Sequence, residues 1–156
     1  MKKITTILFA FAILTTVFTS CKKDEEAVVK AIGSASAQLT VGSTAATTWT
    51  ATAAVAVKSG TSYTITAPGP NSTNLVIKVD NITAVGTYTL TTATRTATFT
   101  TGGKTYATTN NGGGNVIITA ISSDKIEGTF LCEMFDATTA NAVYCSLGTG
   151  KFSATF

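Results

Sequence analysis

The sequence predicts an all-β domain, an antiparallel β-sandwich of about nine to ten short strands. A flattened up-and-down β-barrel is the alternative. Three observations carry this. Apolar and polar residues alternate with period two from about residue 34 to the end, and no amphipathic helix of useful length interrupts them. Thirty-four threonines, with many valines and isoleucines, supply branched side chains that suit a pleated surface. Glycine, proline and asparagine clusters punctuate the alternation at short intervals.

The elements follow in order. Ala35 to Val41 alternates through Ala35, Ala37, Leu39 and Val41. Thr48 to Lys58 reads as one run carrying Trp49, Val55 and Val57, and Ser62 to Ala67 carries Tyr63 and Ile65. Pro68-Gly69-Pro70-Asn71 breaks the chain. Leu75 to Ile82 sets Leu75, Ile77 and Val79 against Lys78 and Asp80. Thr87 to Thr92 follows Gly86, with Tyr88 and Leu90 on one face. Arg95 to Thr101 and Lys104 to Thr109 flank Gly102-Gly103, a two-residue hairpin link in which both positions tolerate φ > 0. That link sets Phe99 opposite Tyr106.

Asn110 to Gly114 reads as a flexible loop. Asn115 to Ile121 and Ile126 to Phe135 join through Ser122–Lys125, pairing Ile121 with Ile126 and Ile117 with Phe130. Ala142 to Leu147 and Lys151 to Phe156 close the chain. Phe156 ends an alternating strand as in outer-membrane barrels, but these strands are shorter and richer in threonine than the ~9–11-residue lipid-facing strands such barrels need.

The first twenty residues differ in kind. Met1-Lys2-Lys3 is basic, Ile4 to Phe18 is an apolar run softened by threonines, and Thr19-Ser20 is small. This is the order of a secretory signal. A helix of that run is about 22 Å long, short of a ~30 Å hydrocarbon core. Val17-Phe18-Thr19-Ser20-Cys21 resembles a lipobox, with Phe18 where leucine is commoner. The resemblance implies cleavage before Cys21, a diacylglycerol on its sulfur and an acylated new amino end. Chains of this kind anchor stably when two or more are present. Lys22-Lys23-Asp24-Glu25-Glu26 resembles the charged surface-export tether of Bacteroidetes-type lipoproteins, which implies the outer face of the outer membrane. The expected organisation is a signal over 1–20, a lipidated cysteine and tether over 21–33, and a β domain over 34–156.

Removal of the signal takes Lys2 and Lys3. Nine basic residues then face eight acidic ones, and net charge falls from +3 to +1. With one arginine, Arg95, and scattered lysines, no nucleic-acid footprint is present.

Once Cys21 is lipidated, Cys132 and Cys145 remain. If Asp136 to Asn141 is the loop, Phe135 pairs with Ala142, Met134 with Val143, Cys132 with Cys145, and Phe130 with Leu147. The last three pairs share a face and are apolar or cysteine, so a cross-strand disulfide is expected, worth about 3 kcal/mol in the chain-entropy account. Two buried free thiols are the alternative. Two sulfurs without histidine leave too few ligands for a metal, and none is expected, nor any cofactor.

The absence of histidine removes the commonest general base. The domain has five carboxylates: Asp80, Asp124, Glu127, Glu133 and Asp136. Asp124 and Asp136 fall in expected turns, while Glu127 and Glu133 alternate toward water. Gly148-Thr149-Gly150-Lys151 fails as a phosphate loop, because Phe152 stands where Ser or Thr is needed and a strand follows. Ser122-Ser123-Asp124-Lys125 fits a hairpin turn better than a Ser-x-x-Lys site. No enzyme is expected. The candidate ligand-binding residues are aromatic: Trp49, weighed against a place in the core, and Tyr144, expected to be exposed beside Glu133.

Trp49-x-Ala51, Gly86-Thr87-Tyr88-Thr89-Leu90, Ile126-Glu127-Gly128-Thr129-Phe130 and Gly148-x-Gly150-Lys151-Phe152 resemble landmarks of uncharacterised Bacteroidetes lipoprotein domains. The resemblance implies fold and address, with no activity attached. The expected function is a surface lipoprotein with a binding or structural role. The alternative is a glycan-binding module of a polysaccharide-uptake system. The expected partners are a membrane, through the anchor, and a glycan or another envelope protein.

Overall fold

The computed structural model describes residues 32–136 and 143–156. Cys21, the signal and the tether up to residue 31 lie outside the described residues, as does most of the expected Asp136–Asn141 loop. Among the described residues the chain is all-β, with no helix.

Eleven strands form: β1 (Ser34–Val41), β2 (Thr47–Ala51), β3 (Val55–Ser59), β4 (Ser62–Pro68), β5 (Asn74–Val79), β6 (Gly86–Thr89), β7 (Arg95–Thr101), β8 (Lys104–Ala107), β9 (Gly113–Ile121), β10 (Lys125–Asp136) and β11 (Tyr144–Thr155). They join in one mixed sheet, order β2-β1-β11-β3-β4-β5-β7-β8-β10-β9-β6, with a further β11–β10 pairing. Two antiparallel ladders emerge from the pairings: β2-β1-β11-β10-β9-β6 and β3-β4-β5-β7-β8. Only short seams connect them, a single parallel pair Thr155↔Val55 and the two pairs Phe135↔Ala107 and Asp136↔Tyr106. The last strand lies between the first and the tenth, so the order is not up-and-down.

One apolar cluster fills the space between the ladders. Leu75, Ile77, Val79 and Phe99 of the second ladder are fully buried, as are Val116, Ile126, Met134 and Leu147 of the first. Trp49 of β2 meets Phe99 of β7 edge-on, centroids 5.4 Å apart, and so bridges the two ladders. Inward residues alternate with outward ones along β4, β5 and β10, as a sandwich requires.

Several expected boundaries move. The single run Thr48–Lys58 is two strands, because the chain crosses between ladders at 52–54. Ala54 is fully buried there, and its carbonyl accepts the Thr155 amide at 3.2 Å. Conversely, the two closing strands are one, β11, bent at Gly148–Thr149. The loop Asn110–Gly114 gives its last two residues to β9. Strands β10 and β11 reach 12 residues each, longer than expected, yet their outer faces carry Glu133, Ser146 and Lys151 rather than a lipid-facing band. The Gly102-Gly103 link forms as expected, with φ of 56° and 74°, and Phe99 stands opposite Tyr106.

Two β-bulges set the registers that the sequence missed. Between Phe130↔Gly150 and Cys132↔Leu147, Leu131 faces two residues of β11, Gly148 and Thr149. Thr149 takes the left-handed conformation, φ 46°. Between Glu127↔Ala120 and Gly128↔Ile118, Thr119 is the extra residue. Phe130 therefore stands opposite Val116, and Ile117 opposite Thr129.

Candidate functional site

The two cysteines lie where β10 and β11 run side by side, facing the core, both fully buried. Cys132 pairs with Leu147, and Cys145 with Met134. The register is shifted by two residues from the expected one. A shift of two keeps every side chain on its face but makes the thiols diagonal neighbours. Diagonal positions lie about 7–8 Å apart at Cα, beyond the reach of a relaxed disulfide. The expected disulfide is therefore corrected: both are free thiols. Burial pushes the Cys132 thiol up to about 12, with a smaller contribution from Cys145, and burial likewise pushes Cys145 up to about 12. Thiols held neutral in this way are inert packing residues.

Trp49 is corrected as a ligand-binding residue: it is only 3% exposed. Its indole N–H donates to Thr73 Oγ1 at 2.8 Å, and that hydroxyl donates to the Pro70 carbonyl at 2.7 Å. Gly69 lies directly under the ring, where a Cβ would sit 2.4 Å from Nε1. Trp49 thus fastens the Pro68–Thr73 turn to the core. Tyr63 and Tyr106 are buried too. Tyr144 is exposed at 42%, diagonal to Glu133 across β10 and β11. The aromatic platform that a glycan-stacking face needs is not assembled among the described residues.

The carboxylates do not converge either. Glu127 accepts from Lys125 Nζ at 3.0 Å and Ser153 Oγ at 3.1 Å. These two hydrogen bonds hold its carboxyl below the usual range. Asp80 lies near Lys78 at 3.9 Å. Asp136 is no turn residue: it ends β10, almost fully buried, 3.3 Å from Lys104 Nζ, and opposite Tyr106. It pins the β7–β8 hairpin to β10. Burial raises the Tyr106 hydroxyl pKa, partly offset by Lys104. No group of three or more Cys, Asp or Glu side chains among the described residues could hold a metal ion.

What the structure does assemble is a shallow depression of about 470 Å³ on the outer face of β9, β10 and β11. Ile117, 42% exposed, and Leu131, 51% exposed, give it an apolar surface. Thr129, Thr149, Asn115 and Lys151 surround them with two hydroxyls, an amide and an ammonium. The bulge makes the depression: at Gly148–Thr149 the strand swings out of line, and Gly150 leaves room for the Phe130 ring beneath, 2.4 Å from where a Cβ would stand. Such a surface can hold an amphipathic ligand by dispersion and hydrogen bonds. It presents no paired nucleophile and base. Sequence reasoning missed it because Ile117 and Leu131 belong to different strands. The one signal was Gly148 and Gly150 flanking Thr149.

Residues 38–153 match a domain of unknown function, DUF6252. The chain belongs to the DUF6252 family. The DUF6252 match runs from β1 into β11 and takes in the depression, the cysteine pair and the Trp49 corner. Comparison with curated proteins and with solved structures finds no match.

Proposed function

We propose that this DUF6252 chain is a Bacteroidetes-type lipoprotein, held through Cys21 in the outer membrane and facing the exterior, with a non-catalytic binding domain. The observation that supports it best is the order of segments. An apolar run ends at Phe18-Thr19-Ser20-Cys21, a charged stretch follows, and a self-contained β domain begins at Ser34. The Ile117–Leu131 depression supplies a ligand surface on the side of that domain. The glycan alternative loses its main support with Trp49, Tyr63 and Tyr106 in the core.

Growth with an alkyne-bearing palmitate tests the anchor. The wild-type chain takes up label and fractionates with outer membrane, and Cys21→Ser does neither. Protease added to intact cells removes the domain when it faces outward. Replacing Lys22–Glu26 with neutral residues then protects it. A labelled but always protected domain reassigns the protein to the periplasmic face.

A further inference from the structure

Seven large apolar side chains are exposed among the described residues, and four gather at one end of the domain: Ile32 at 72%, Val55 at 51%, Val57 at 66% and Val85 at 58%. Backbone contacts place them together. Gly33 packs so tightly that a Cβ there would sit 2.0 Å from the Ala54 carbonyl oxygen and 2.5 Å from that of Ser153. Their chain neighbours Ile32 and Val55 therefore share that end. Val57 follows Val55 on the outward side of β3. Val85 lines a cavity of about 540 Å³ with Lys58, Tyr63 and Ile82, and the Ile82 amide is bonded to the Thr61 carbonyl at 2.9 Å. The Lys58 ammonium lies over the Tyr63 ring, 5.6 Å from its centroid. The other three exposed apolar residues are elsewhere: Ile117 and Leu131 on the side face, and Tyr144 at the opposite end of β11 from Thr155.

We infer that this end of the domain rests on the lipid surface of the membrane that holds Cys21. The inference builds on the lipid-anchor reading. The chain enters the domain here, and the twelve peptide steps from Cys21 to Gly33 span at most ~43 Å. Once the anchor is inserted, contact between this end and the bilayer is intramolecular, so a patch too small to bind membrane alone suffices. Exposed aliphatic side chains beside the Lys58 ammonium match the headgroup boundary, where apolar stems sink and charged heads stay wet. The lipid then covers Ile32, Val55, Val57 and Val85, and leaves the Ile117–Leu131 depression clear for a partner.

The buried cysteines make the test clean, since neutral, enclosed thiols do not label. Full-length lipoprotein carrying Val57→Cys, Val85→Cys or Ala45→Cys is labelled with a polarity-sensitive fluorophore. It is then reconstituted into phosphatidylethanolamine–phosphatidylglycerol vesicles with a spin-labelled lipid whose nitroxide lies just below the headgroups. Ala45 lies in the turn after β1, at the far end. At positions 57 and 85 the emission shifts blue and is quenched several-fold more than at 45. Val55→Asp then abolishes that difference while flotation persists. Equal quenching at all three positions, with the protein floating, overturns the docked end and leaves the anchor standing. Failure to float removes the anchor and the docking together. A blue shift that follows protein density and ignores the spin-labelled lipid assigns the patch to a second copy, and overturns the proposal.

Discussion

Strands β10 and β11 carry two faces made from the same 24 residues, and the faces obey different rules. The inner face holds Ile126, Phe130, Cys132, Met134, Cys145, Leu147 and Ala154, none more than 3% exposed. The outer face holds Thr129, Leu131, Glu133, Tyr144, Thr149 and Lys151, all exposed. Inside, even thiols act as hydrocarbon. Outside, apolar residues are few, and Leu131 sits where a bulge opens the surface. The inner face accounts for stability and the outer face is free to serve recognition, so one residue's step along the chain should change what a mutation does.

The sharpest break in that comparison comes at Phe130. Phe130→Ala removes a ring that leans on Phe152, centroids 6.4 Å apart, and fills the space over Gly150. It should cost about 3–5 kcal/mol in urea unfolding. Met134→Ala, fully buried, should cost about 2–5 kcal/mol. Gly150→Ala forces a methyl into the Phe130 ring and should cost about 1–3 kcal/mol, the overpacking counterpart.

The thiols extend the comparison to pH. Both are raised to about 12 in the folded chain, while an unfolded thiol titrates near its ordinary value. A raised folded value favours folding fully below the ordinary thiol pKa, and that advantage is lost as pH climbs toward the folded value. Urea midpoints should therefore hold steady up to about pH 8.5 and fall above it. Cys132→Ala with Cys145→Ala should flatten that alkaline limb, leaving the smaller contribution of Tyr106. The smallest effect belongs to the outer face. Leu131→Ser, next door to Phe130, should move stability by no more than about 0.5 kcal/mol. A destabilisation as large as that of Met134→Ala would erase the distinction between the faces.

Period-two alternation made the fold legible, since inward positions such as Leu75, Ile77 and Val79 announce their face. It also explains the main error. Alternation registers a one-residue slip, because every side chain changes face, but it is blind to a slip of two. The Cys132–Cys145 pairing was two residues off, and nothing in the pattern could object. Bulges are invisible for a related reason: Thr149 and Thr119 each add one residue whose effect appears only against a partner strand. Sequence alone leaves Trp49 open between core and surface and puts Asp136 in a turn, because what fixes them spans distant segments, an indole bonded to Thr73 and a carboxylate against Lys104. The Ile117–Leu131 depression needed three strands at once.

Gly33, wedged against the Ala54 and Ser153 carbonyls, is also where mechanical load would enter the domain. A pull from the membrane reaches β1 at Ser34, and β1 is hydrogen-bonded along both edges, to β2 and to β11. Tension along the strand shears these ladders as a set instead of peeling them one rung at a time. An anchored domain swept by flow or tugged by a captured partner would meet that load with a strand bonded along both of its edges.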